Sequence, residues 1–71
     1  MKIIITDYEI PRIIVLSVPD SMIENDVEQF LTDLGYSLDE ISWMTTPADS
    51  VPVISHKYNK GNWQLISEIS V

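Results

Sequence analysis

The chain reads as an α+β fold: a small antiparallel β-sheet of four to five strands with one amphipathic helix packed on one face. Three observations predict it. Two runs rich in isoleucine and valine open the chain, separated by a break that contains proline. A single stretch then places apolar residues at helical spacing. After it come short β-branched and aromatic runs divided by turn residues. The element order is ββαβ(β)β, the arrangement of an antiparallel sheet with its helix on one side. No repeat, low-complexity tract or linker interrupts it, so residues 1–71 are read as a single small domain.

Lys2 to Tyr8 reads as the first strand, and Glu9-Ile10-Pro11 ends it, because proline donates no ladder hydrogen bond. Arg12 to Val18 resumes as the second strand of a hairpin. The helix is expected from about Ser21 to Leu34, with Ile23, Val27, Phe30, Leu31 and Leu34 forming one apolar stripe. Asp20 or Ser21 is placed to cap its start, and Ser21 with Glu24 has capping-box spacing. Gly35 stands where a left-handed residue closes a helix. Ile41 to Thr45 alternates as a third strand, with Ile41, Trp43 and Thr45 against Ser42 and Met44. A loop with Pro47 follows. Val51 to Tyr58 is a fourth strand that Pro52 confines to an edge or to its first residues. Asn59-Lys60-Gly61-Asn62 is a turn. Trp63 to Val71 closes the chain, with Trp63, Leu65, Ile69 and Val71 on one face and Gln64, Glu68 and Ser70 on the other. Ile66 and Ser67 break that alternation.

The first two strands are apolar on both faces: Ile3 and Ile5 oppose Ile4, and Ile14, Leu16 and Val18 oppose Ile13 and Val15. One helix covers only one side. The Tyr36–Leu38 segment and loops, or a second copy of the chain, must cover the other. A homodimer is the expectation, since 71 residues lie near the lower limit for folding alone.

Charge is unevenly spread. The net charge is −7, and no lysine or arginine occurs from Ile13 to His56. That stretch holds Asp20, Glu24, Asp26, Glu28, Asp33, Asp39, Glu40 and Asp49, eight of the eleven acids. Nucleic-acid binding draws most of its affinity from cations on phosphates, so direct binding is not expected. Anionic membrane surfaces are disfavoured for the same reason. Basic proteins fit as partners. On the helix, Asp26 and Asp33 flank the apolar stripe on one side and Glu24 and Glu28 on the other, while the crest of Asn25, Gln29 and Thr32 is neutral. Asp33 in the last turn opposes the helix dipole, at a cost of about 0.3–1 kcal/mol. The Glu24–Glu28 pair costs about 0.2–0.5 kcal/mol. Local helix stability therefore did not choose these charges. Asp26, Asp33, Glu24 and Glu28 are the candidate partner-binding residues, against the plainer reading that they only solvate a helix face.

Other chemistry finds little support. The chain has no cysteine, which excludes disulfides, thiolate metal ligands and thiol nucleophiles. His56 is the only histidine. A metal centre needs several converging ligands and a catalytic triad needs an activated nucleophile, and neither accompanies it. Two glycines do not make a phosphate loop, and Asp20 to Leu31 lacks the calcium-loop spacing. No catalytic, cofactor or metal residue is assigned. Trp43 and Trp63 are expected in core packing, with Met22 and Met44 filling gaps. The apolar start is too short for a signal peptide and no run reaches membrane length, so a cytoplasmic location is expected. The function these features favour is a non-enzymatic protein–protein interaction module that self-associates. The competing reading is an acidic inhibitor that occupies a basic nucleic-acid-binding groove of a partner protein.

Overall fold

The structure is a computed structural model that describes residues 1–22 and 24–71, with side-chain surroundings for all of these except residues 24 and 25. Strands β1 (Lys2–Asp7) and β2 (Arg12–Ser17) form the first hairpin. Helix α1 (Glu24–Asp33) follows, then a single 3-10 turn at Leu38–Glu40. Strand β3 (Ile41–Thr46) precedes β4 (Pro52–Asn59) and β5 (Asn62–Ser70). The α+β class, with one helix and antiparallel strands, matches the sequence reading. The five strands, however, divide between two antiparallel sheets: one of three strands in the order β2-β1-β3, and a separate β4-β5 hairpin.

The three-stranded sheet is held by its central strand. Ile3 and Ile5 of β1 are fully buried and lie opposite Leu16 and Ile14 of β2, and opposite Thr45 and Trp43 of β3. Cross-strand partners share a face. This inner face meets α1 through Val27 and Leu31, both fully buried, with Ile41 completing the core. Met1, Ile14, Leu16, Val18, Met22, Phe30, Tyr36 and Trp43 pack around it. Each fully buried aliphatic side chain contributes about 1.5–3 kcal/mol.

Local chemistry explains the joints. In the β1-β2 turn the Asp7 carboxylate accepts hydrogen bonds from the Glu9 amide at 3.0 Å and the Ile10 amide at 3.3 Å. Such an Asx turn reverses the chain where Pro11 forbids a ladder bond. At the end of α1, Gly35 has φ +101°, the Tyr36 amide reaches the Leu31 carbonyl at 3.1 Å, and the Gly35 amide reaches that of Thr32 at 3.0 Å. These two bonds form a Schellman cap, with Tyr36 and Leu31 in its apolar contact.

Some expectations change. The helix is shorter than residues 21–34, and Leu34 is half exposed because it lies past the last turn that meets the sheet. The Ile23 position and the Ser21–Glu24 capping box lie outside the described residues. Asp20 instead forms an ion pair with the Met1 amino group. Tyr36 packs on the helix side, so it does not cover the outer face of the sheet.

The β4-β5 hairpin stands apart. It shares no ladder with the other sheet, and among the described residues none of its side chains joins the core. The Cα radius of gyration is 14.7 Å, with extents of 45 × 27 × 14 Å. A compact chain of this length would have a radius of about 11 Å. Trp63 therefore does not pack in a core: it is 72% exposed, because its hairpin projects beyond the sheet that would bury it. Met44 is also exposed, on the uncovered side of β3.

Candidate functional site: two uncovered apolar faces and an acidic clasp

The outer face of the three-stranded sheet is built from alternate residues. Register aligns Val15, Ile4 and Met44 in one row, and Ile13, Thr6 and Ser42 in the next. Ile13 is 62% exposed and Met44 57% exposed, while Ile4 and Val15 are partly covered by their neighbours. A shallow depression of about 160 Å³ is lined by Ile4, Thr6, Ser42, Trp43 and Met44. The two-faced apolar pattern of the first strands thus has a helix on one side and nothing from the described chain on the other.

The second face belongs to the hairpin, and a bulge creates it. Ser55 pairs with Ser67 and His56 with Leu65, which leaves Ile66 as the extra residue. From that point the alternation of β5 shifts by one. Ile54 lies opposite Glu68, His56 opposite Leu65, and Tyr58 opposite Trp63. These residues share one face, and the Tyr58 and Trp63 rings meet edge to face at 5.4 Å. The other face pairs Ser55 with Ser67, Lys57 with Gln64, and Asn59 with Asn62. Ile69 lies opposite Val53, so it is on this second face rather than beside Trp63 and Leu65 as uninterrupted alternation would require. Tyr58 and Leu65 are each 61% exposed, and Ile54 is 50% exposed. His56 is exposed at the centre of this apolar strip.

The hairpin is well closed at both ends. Val51 and Val71 exchange both backbone hydrogen bonds, at 2.7 and 2.9 Å. The tip has Lys60 at φ +51° and Gly61 at φ +82°, a two-residue turn whose twist suits the strands. A closed and register-fixed hairpin with apolar side chains on the outside is a surface shaped for contact.

The helix acids occupy a different region. Asp26, Glu28 and Asp33 are exposed on α1, and among the described residues no cation pairs with them. Asp33 accepts a hydrogen bond from the Gln29 amide nitrogen at 2.8 Å. The side-chain surroundings of Glu24 lie outside the described residues. The four candidates therefore share a helix, but neither apolar face includes them.

A third feature escaped the sequence reading. A cleft of about 280 Å³ at the end of the sheet is lined by residues that include Asp7, Glu9, Arg12, Tyr36 and Glu40. The Glu40 carboxyl hydrogen-bonds to that of Glu9, and this bond, together with the charges of Glu9, Asp7 and Asp39, pushes Glu40 above its ordinary pKa. Burial would raise Asp7, but hydrogen bonds from Arg12 at 3.0 Å and from the Ile10 and Glu9 amides outweigh it and hold Asp7 below its ordinary value. Glu9 and Glu40 are thirty-one positions apart in the chain. The pairing of Asp7 with Ile41 and the hydrogen bond from the Tyr8 amide to the Glu40 carbonyl at 3.0 Å bring them together. Among the described residues, no three of the histidine, aspartate and glutamate side chains gather in a way that holds a metal ion.

No helix among the described residues is long and apolar enough to cross a membrane. No family model matches the chain, and no curated protein or solved structure shows significant similarity to it.

Proposed function

We propose that this chain is a non-enzymatic protein–protein interaction module that self-associates, forming a homodimer in the cytoplasm. The observation that carries this reading is the hairpin strip of Ile54, Tyr58, Trp63 and Leu65, each at least half exposed on one face. Tyrosine and tryptophan are the side chains on which interfaces most often turn. The uncovered outer face of the sheet, with Ile4, Val15 and Met44 in one row and Ile13 in the next, supports it independently. An isolated two-stranded hairpin is marginal in water and gains order from a surface that covers it. The cysteine-free composition supports the location. Multi-angle light scattering at micromolar concentration tests the reading: a mass above the 8.1 kDa chain supports it, and 8.1 kDa alone overturns self-association.

The second reading, an acidic inhibitor seated in a basic groove of a partner, draws on Asp26, Glu28 and Asp33, exposed and without a cation partner among the described residues. It requires affinity for a basic protein that falls steeply with salt, and weaker binding when Asp26→Asn and Asp33→Asn are combined. Affinity that is flat from low to high salt eliminates it.

A further inference from the structure

We infer that the two uncovered faces are each other's partners across a dimer: the hairpin of one copy lies on the outer face of the three-stranded sheet of a second copy, and the exchange is reciprocal. This rests on the self-associating reading above and specifies its interface.

Three observations favour a second copy as the occupant. The first is area. Ile54, Tyr58, Trp63 and Leu65 present on the order of 500 Å², at the upper end of what a monomer leaves open. Two arms, each with the sheet face that receives it, together remove roughly 1,500 Å² from water, the size of a stable interface. The same arm on a single foreign surface removes about half as much. The second is shape. The arm presents an apolar row on one face of a two-stranded ribbon, the receiving face presents apolar rows of a three-stranded sheet, and sheets pack face to face through such rows. Within one copy the hairpin covers no part of that face, and the radius of 14.7 Å records its projection.

The third is charge. The hairpin from Pro52 onward carries Lys57 and Lys60 against Glu68 alone and is net positive by one. The rest of the chain carries ten acids against Lys2 and Arg12 and is net negative by eight. Lys57 lies on the opposite, polar face of the hairpin and Lys60 at its tip, while the strip face itself holds Glu68, opposite Ile54, and the outer face of the sheet holds Lys2, opposite Ser17. An arm of one sign and a body of the other attract head to tail, and both are supplied by the same chain. In a two-fold dimer each contact then occurs twice.

Complementation tests this. Leu65→Asp spoils the arm and leaves the sheet face intact. Ile13→Asp spoils the sheet face and leaves the arm intact. Both residues are about three-fifths exposed, so the core is untouched. Each variant alone should run at 8.1 kDa, half the wild-type mass. An equimolar mixture should recover a species of twice the chain mass, because one intact arm meets one intact face. Tyr58→Asp with Met44→Asp is the second pair if circular dichroism shows either first variant unfolded. A wild-type mass of 8.1 kDa overturns both this inference and the self-associating reading. A dimeric wild type whose variants stay dimeric, or whose mixture stays monomeric, overturns the exchanged interface and leaves self-association standing.

Discussion

Leu31 illustrates how little of this molecule is dispensable at the level of one side chain. Among the described residues, Ile3, Ile5, Val27 and Leu31 are fully buried, with Ile41 close behind. Leu31→Ala should cost about 2–5 kcal/mol. That is a large share of the 5–15 kcal/mol that stabilises most folded domains. Urea denaturation followed by circular dichroism should show the midpoint falling sharply or the native baseline vanishing. Val27 and Leu31 were legible from helical periodicity, because a stripe that faces a sheet has to be apolar. Leu34 belongs to the same period yet is exposed, since period alone does not show where the last turn ends. Trp63 is the sharper lesson. Its place in an alternating strand looked like a core position, but alternation reports a face, not what that face meets.

Among the elements, the joint between the β1-β2 turn and the 3-10 turn has a defined pH response. Asp7 has a lowered pKa, so its stabilising contribution is present above the unfolded value of 3.8 and is lost as pH falls through its folded value. Glu40 has a raised pKa, so its contribution is present below 4.5 and is lost as pH rises through its folded value. The joint is therefore firmest between about pH 3.8 and 4.5. Glu40→Gln keeps a hydrogen-bonding side chain and removes the charge. Its melting temperature should exceed that of the wild type at pH 7, and the two should converge near pH 4. Equal melting temperatures at pH 7 would show that the neighbouring charges of Glu9, Asp7 and Asp39 do not destabilise the ionised Glu40. This contact was illegible in the sequence because it depends on sheet register.

The hairpin tip makes a separate prediction. Lys60 adopts φ +51°, a conformation that costs a non-glycine residue on the order of 1 kcal/mol. Lys60→Asn gives the Asn-Gly pair that such turns favour. Amide exchange in β4 and β5 should slow several-fold, while exchange in β1 stays unchanged. Gly61→Ala, at φ +82°, should speed exchange in the same two strands.

For the whole molecule, the contrast is between a small core and a long outline. The α+β class and the turn positions followed from residue patterns, because turns and periods are local. The division into two sheets did not, since it depends on whether β4 finds an open edge. The exchanged dimer also predicts a salt response. Apolar contact dominates its affinity, whereas opposite charges mainly speed encounter. Raising salt from 50 to 500 mM should slow association several-fold and leave dissociation nearly constant, as measured by stopped-flow mixing of labelled chains. A large rise in the dissociation rate would mean that the interface is ionic and would turn attention to Asp26 and Asp33.

The extra residue in β5 also bears on how the chain stays in solution before it meets its partner. Were Ile66 paired instead of extra, the strand would keep strict alternation, and Ile69 would fall into line with Trp63 and Leu65. The strip would then carry no carboxylate along a hairpin whose two outer edges already offer free backbone groups. Flat, uncharged and apolar strands of that kind stack without limit. The shift instead puts the carboxylate of Glu68 into the strip, opposite Ile54. A second hairpin stacked on the strip would bring another such carboxylate against it, whereas the outer rows of the three-stranded sheet hold no acid. Glu68→Val, which removes that carboxylate from the strip, should therefore turn a protein of finite assembly into one that forms fibrils, visible as a rise in thioflavin fluorescence over hours.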